Sequence, residues 1–386
     1  MSSRIIFLIF IALSSIAEAQ QFNEYFNVDN IMQKMPDSLT SSSQDIANYI
    51  NSYFSSDTDK CRAAFIWIAS NIEYDYENIF AKDNYQTTNE IIEKALKTRK
   101  GICMNFAELF NDIARRTGVK SYVVYGYTRQ SGQVDRIPHA WCACLAGLSW
   151  LVYDPTWGSG FIQNSRFVRK LNNYYCKISP GLIIKTHMPF DPLWQFLYYP
   201  VTNQEFIEGK TQVNDKKRYF NFTDTLIITE NQQPIEQLKS SIYRIEKNGV
   251  VNELITERIQ YLKREIEYHY NKNNAENYNS AAALYNSGVR FMNDFINYRN
   301  KQFIPQKPDE EIKQMLDTAA HSFKLSRDIV KNIVKPEPNI SSLVRQLNKS
   351  LDESTVSLNE QKAFLGKYIR TEKSLRKSLF YKQIRK

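Results

Sequence analysis

The stretch Arg99-Lys100-Gly101-Ile102-Cys103-Met104-Asn105-Phe106-Ala107-Glu108-Leu109-Phe110 sets a glycine just ahead of a helical run and a cysteine on its first turn. Cys103, Phe106, Ala107, Phe110, Ile113 and Ala114 share one helical face, and Gly118 follows as a stop. Downstream, residues 121–128 with Tyr122-Val123-Val124-Tyr125 read as a strand, and Ser131-Gly132 as a turn. Residues 139–145 and 148–153 read as two strands joined at Ala146-Gly147. His139 then opens the first of these strands and Asp154 closes the second. One long helix followed by an antiparallel meander predicts an α+β fold. With the turn centred on Ala146-Gly147, positions near 139 and 154 stand roughly opposite each other, as a His–Asp hydrogen bond requires.

A thiol attacks a carbonyl only as thiolate. At the first turn of a helix, unpaired N–H groups and the helix dipole favour negative charge, and Arg99 and Lys100 lie close by. Gly101 keeps the backbone slim for an approaching substrate. The Cys103 N–H is a natural oxyanion donor, worth roughly 3–4 kcal/mol in comparable sites. Tyr85 and Gln86, in the loop upstream, are candidates for the second donor. His139 would take the thiol proton and later protonate a leaving amine, and Asp154 would hold the imidazole tautomer. Taken singly, a helix Cys is most often a buried hydrophobe, a strand His structural, and an Asp before Pro a turn former. Together, with a glycine before the cysteine and aromatic residues flanking both partners, they point to acyl transfer.

The run Ala63-x-Phe65-Ile66-Trp67-Ile68-x₂-Asn71-Ile72-x-Tyr74-Asp75, the Lys100-Gly101-x-Cys103-x₂-Phe106-Ala107-x-Leu109-Phe110 motif, His139-Ala140-Trp141 and Asp154-Pro155-Thr156-Trp157-Gly158 together resemble the transglutaminase-like superfamily, in its bacterial and kyphoscoliosis-peptidase-like branch. The resemblance covers about residues 40 to 200. It implies a papain-like α+β core, a helix bearing the cysteine and an antiparallel sheet bearing the histidine and aspartate. It also carries nucleophile, base and orienting roles onto Cys103, His139 and Asp154. Members of the superfamily cross-link Gln to Lys, hydrolyse peptides or amides, or have lost catalysis. This chain departs from the pattern at Cys142, where Asn is frequent, and at Asn105-Phe106, where a small residue and Tyr are frequent. Both departures bear on the pocket and not on the three catalytic candidates.

The 386 residues are enough for two domains on a prior of about 100–200 residues each. Arg4, the apolar run 5–13 and Ala17-Glu18-Ala19 read as a cleavable signal peptide over 1–19, so export to the periplasm or the medium is expected. No later segment reaches the length of a membrane span. A transglutaminase-like domain is expected over 20–220. From Pro234 onward the texture turns helical: Ala281, Leu284, Gly288, Phe291, Phe295 and Tyr298 mark one helix, and Ile312, Leu316, Ala319 and Phe323 a second, ended by Pro336 and Pro338. An all-helical C-terminal domain is therefore expected over 221–386. Residues 167–221, rich in Tyr, Pro and Trp, read as irregular structure packed on the first domain.

The net charge is +9, and from Lys362 to the end nine Lys or Arg face one acid, Glu372. This basic tail is a solvated helix face or a foot for an acidic envelope surface or protein partner. Nucleic acid is not expected as a partner. Besides Cys103, the cysteines are Cys61, Cys142, Cys144 and Cys176. Two disulfides would fit that number, but buried free thiols are the default. With no Cys-x₂-Cys pair and four scattered histidines, neither a metal nor a cofactor is expected. Three functions follow in order: hydrolysis of peptide or amide bonds of proteins, Gln–Lys cross-linking, and a catalytically inactive binding or scaffold protein.

Overall fold

Serine and threonine caps followed by apolar residues at helical spacing build the layer on which the sheet rests. The computed structural model describes residues 24–79 and 87–381. The expected leader at 1–19 and the donor candidates Tyr85 and Gln86 lie outside the described residues. Helices α1 (Phe26–Gln33), α2 (Ser43–Tyr53), α3 (Asp57–Asn71), α4 (Thr88–Thr98) and α5 (Cys103–Arg116) form that layer, with short strands β1 (Glu73–Tyr74) and β2 (Lys100–Gly101) paired in parallel. Ser42 caps α2 by accepting the Asp45 N–H. Ser56 caps α3 by accepting the Asp59 N–H, whereas Asp57 and Asp59, the caps expected from sequence, lie inside its first turn. Thr87 and Glu90 form a reciprocal capping box on α4. In α3 every residue from Cys61 to Ala69 is buried. Such a helix, covered all round, belongs at the centre of a core.

The sheet runs β5 (Ser149–Tyr153), β4 (Gln133–Ala146), β3 (Lys120–Gln130), β8 (His187–Pro189), all antiparallel. A short helix α6 (Pro155–Ser159), the hairpin β6 (Gly160–Gln163), β7 (Arg166–Arg169) and a second short helix α7 (Pro180–Ile183) lie between β5 and β8 in the chain, and α8 (Asn203–Ile207) follows β8. His139 therefore sits inside β4, opposite Gly126, and not at its start. The β4–β5 ladder ends at Cys142↔Tyr153, so Asp154 lies just past it and not directly across from His139. One face of the sheet, with Ala140, Cys142 and Cys144, packs with the helices. The other, with Val124, Trp141 and Ala143, is covered by Ile178, Leu193, Phe196, Phe222 and Leu226. The stretch 167–221 is, as expected, mostly irregular structure packed on the first domain; it supplies most of β7, all of β8 and much of the second cover.

Two compact units divide between Tyr261 and Leu262, not at 220/221. Helices α9 (Phe222–Asn231) and α10 (Pro234–Lys247) belong to the first unit, and the half-buried Arg244 of α10 makes a bidentate ion pair with the buried Asp191, just after β8. The second unit begins within α11 (Glu253–Asn300) and contains α12 (Asp309–Val330) and α13 (Pro338–Arg370) around its own core of Phe295, Phe303, Leu316, Phe323 and Leu351. Pro338 stands in the first turn of α13, so it opens that helix; α12 has already ended at Val330. Part of the basic tail is neutralised within this unit, since Arg376 pairs with Asp309 and Lys362 with Asp317. Among the described residues no helix is long and apolar enough to cross a membrane.

Candidate active site

Cys103 is the first residue of α5, half-buried, directly after the N-cap Ile102. Asn105 fixes this entry. Its side chain accepts the Ile102 N–H at 3.0 Å and donates to the Ile91 carbonyl at 3.1 Å. Gly101 serves that contact: a Cβ there would stand 2.5 Å from the Asn105 side chain. The glycine expected to admit substrate instead admits Asn105, and a departure from the family pattern has become a packing device. Cys142 is the second such case, because its buried thiol donates to the Ala107 carbonyl of α5 at 3.1 Å. The two cations ahead of Cys103 point elsewhere. The Arg99 guanidinium bonds Thr40 and lies over the Trp67 ring, and Lys100 reaches Glu73. The charge left to favour a thiolate is that of the helix terminus and of His139.

His139 faces the Cys103 thiol and, through Nε2, donates to Asp154 Oδ2 at 2.8 Å. Nδ1 is then the nitrogen free to serve the sulfur. Asp154 is fully buried at the N-cap of α6, where its Oδ1 accepts the N–H groups of Thr156 (2.9 Å) and Trp157 (3.1 Å). Burial pushes this carboxyl up, but the two histidines on it more than reverse the effect and hold it well below the usual carboxylate range. Burial pulls His139 down, and the Asp154 carboxylate beside it overcomes this and raises it to about 10.

The second histidine, His187 of β8, was not singled out by sequence. Its Nε2 donates to the same Asp154 Oδ2 at 3.0 Å, and its Nδ1 lies 2.8 Å from Thr186 Oγ1. It is fully buried; burial lowers its proton affinity below the ordinary imidazole value, so it is neutral at working pH. The strand that carries it has three residues, too few for any alternation of polar and apolar positions to show. The only signal was scarcity, since the chain has four histidines.

His139, Asp154 and His187 offer three donor atoms within 4.8 Å of one another, a geometry that a divalent ion could use. Here each ring nitrogen facing the carboxylate carries the proton of a hydrogen bond, and a protonated nitrogen is no ligand. The group is a saturated carboxylate with four N–H donors, two on each oxygen.

A cleft of about 960 Å³ opens beside His139, walled by Tyr74, Trp157, Phe161, Phe167 and Tyr175. Among the described residues that line it, Arg129 and Lys170 are cationic and none is a carboxylate.

The family model described as the transglutaminase-like superfamily matches residues 44–155, which hold Cys103, His139 and Asp154. Residues 44–155 are a transglutaminase-like domain. The chain is 33% identical over 174 residues to kyphoscoliosis peptidase of Mus musculus and 32% identical over 173 residues to that of Homo sapiens. Each match covers 43% of this chain and 25% of the relative, so the chain spans about a quarter of the length of the curated relatives it matches. A solved TGase structure aligns over 42% of this chain and 40% of that one, at 23% identity and a TM-score of 0.23. The transglutaminase-like core has the papain-like α+β architecture, and β8 with His187 lies beyond the matched segment.

Proposed function

We propose that this chain is a thiol enzyme that hydrolyses peptide or amide bonds of proteins, with Cys103 as nucleophile, His139 as general base and acid, and Asp154 as its orienting partner. The observation that carries the reading is His139 standing between the Cys103 thiol and the buried Asp154 carboxylate. With Nδ1 of His139 already holding the proton given up by the thiol, the sulfur attacks the scissile carbonyl carbon. That proton passes to the leaving nitrogen as the C–N bond breaks, giving a thioester on Cys103. Water, deprotonated by the same imidazole, then releases the acid and restores the thiol. The aromatic cleft supports a polypeptide substrate. Its lining, with two cations and no carboxylate among the described residues, suits acidic or neutral side chains and disfavours a lysine ammonium docking as acyl acceptor. Water is then the acceptor, in the periplasmic or extracellular setting expected from residues 1–19.

The test is a chloroacetamide peptide probe at neutral pH with mapping of the modified residue, run beside hydrolysis of a denatured protein and incorporation of a labelled primary amine. Label on Cys103, hydrolysis lost in Cys103→Ala, and no amine incorporation are expected. Amine incorporation that depends on Cys103 would replace hydrolysis by cross-linking. Labelling of Cys103 no faster than of a free cysteine would leave only a binding or scaffold role.

A further inference from the structure

Asp154 Oδ2 stands between two imidazoles, yet the acyl-transfer reading uses only one of them. His187 is held from every side. The Asp154 carboxylate can only accept, so it fixes Nε2 as the nitrogen that carries the proton, and Thr186 Oγ1 meets Nδ1 at 2.8 Å. The rings of Trp141, Trp157 and Tyr175 lie 5.0, 4.6 and 6.0 Å away. The same two indoles also flank His139, at 5.9 and 5.6 Å, so one aromatic box frames both imidazoles. Gly126 makes this possible: a Cβ there would meet the Met188 carbonyl at 2.1 Å and Trp141 at 2.5 Å, so only glycine lets β8 pair this closely.

We propose that His187 is a positioning residue of this site: its N–H fixes the height and plane of Asp154 Oδ2, and through that oxygen the orientation of His139 toward Cys103. Without the second donor, Oδ2 keeps one hydrogen bond and a lone pair with no partner in a dry site. The carboxylate then turns about its Oδ1 anchors toward whatever donor it can find, and the imidazole follows it. The hydrogen bond between His139 and the Cys103 sulfur loses its alignment, and the imidazolium, less firmly held by Asp154, stabilises a thiolate less. The other titratable groups facing this cluster are Tyr74, Tyr175 and Asp135, and none of them is altered by the change.

The inference rests on the roles proposed for Cys103, His139 and Asp154, so its test reads the thiolate itself and needs no substrate. Alkylation of Cys103 by iodoacetamide is followed by mass spectrometry from acid to alkaline pH in the full chain. His187→Gln keeps an N–H where Nε2 was, whereas His187→Asn reaches Thr186 but not Asp154, and His187→Phe fills the box with no donor. Near-neutral alkylation should fall roughly 10–100-fold in His187→Asn and His187→Phe, the size of the loss in metal affinity or activity when outer hydrogen-bond partners of metal-site histidines are removed. The onset of fast alkylation should move to higher pH, narrowing its window from the acid side, and His187→Gln should restore both rate and window. Loss of thermal stability with an unchanged or wider window in either donor-free variant would make His187 purely structural and overturn the proposal. A wild-type thiol with ordinary reactivity would overturn the acyl-transfer reading instead. If His187→Phe does not fold, the Gln–Asn pair decides alone: equal windows for those two overturn the proposal.

Discussion

At the scale of single residues, the site sets two titrations against each other. Folded His139 keeps its proton up to about pH 10, whereas an imidazole in the unfolded chain loses it near pH 6.5. Between those values the native state binds more protons than the unfolded one, so this group's stabilisation is complete below about pH 6.5 and lost as pH rises toward 10. His187 has the opposite sign: its folded value is depressed, so its stabilisation is present above about pH 6.5 and lost as pH falls below it. Denaturant melts at a series of pH values should therefore show an alkaline decline that His139→Gln flattens and an acid decline that His187→Gln flattens. A second prediction concerns Tyr74. Its pairing with Gly101 across β1 and β2 sets its side chain beside Cys103, and it walls the cleft with His139. Burial pushes the phenol up, and the neighbouring Cys103 and Asp154 push the same way, so it remains an O–H donor at any working pH. Its O–H, close to Cys103 and lining the cleft, is a candidate for the second oxyanion donor. Tyr74→Phe should lower kcat by about 10²–10³ with little change in KM or in Cys103 alkylation, the signature of a contact made only in the transition state. Unchanged kcat in a steady-state assay would remove Tyr74 from that role.

At the scale of elements, the three-residue strand β8 has the largest effect for its length. Gly126→Ala should push β8 away from β3, since the new methyl group meets a backbone carbonyl and an indole that cannot both yield. A cost of about 1–3 kcal/mol is expected from such overpacking. Because His187 moves with the strand, Cys103 alkylation should slow in the same variant. Stability lost with alkylation intact would separate β8 from the thiol. The same strand shows where sequence reading stopped. Helices α2, α3 and α5 were legible because their apolar faces repeat over three or four turns, and the β3–β4–β5 meander because each strand is a short run of aromatic, β-branched and other apolar residues bounded by glycine-containing turns. Cys103, His139 and Asp154 come from those readable elements, and their proximity followed from chain order. Asp154 lies off the end of the ladder, yet its α6 cap aims the carboxylate back at His139, which the registry argument alone did not supply. His187 was hidden because β8 is held from outside its own sequence, by the missing side chain of Gly126 and by the Arg244–Asp191 ion pair made from a helix some fifty residues on. Asn105 was hidden for a related reason: its effect is a cap on Ile102, and only coordinates show that the space for it comes from Gly101.

At the scale of the molecule, the two units differ in how their interiors are built, and that difference is measurable. The first unit buries its catalytic candidates between two covers on one sheet, with cores that include Phe65, Phe106 and Trp141. The second has no strand among its described residues, and its core centres on Phe303, 1% exposed, whose ring meets Phe295, Tyr368 and Phe380 at 5.7, 4.7 and 5.7 Å. Phe303 is the point at which the ends of the chain segment 262–381 converge, since these partners come from α11, from α13 and from the turn Lys373–Phe380. Truncating it opens a cavity that the surrounding rings can only partly fill. Phe303→Ala should therefore destabilise the second unit by about 3–5 kcal/mol. Because none of the residues around Cys103 belongs to that core, the alkylation window of Cys103 should stay as in the wild type. Hydrogen exchange resolved by peptide, run alongside the alkylation assay, checks both halves. Faster exchange confined to residues 262–381 with an unchanged thiol is the expected result. Faster exchange in α5, or a slowed thiol, would show that the stability of the helical unit reaches the site.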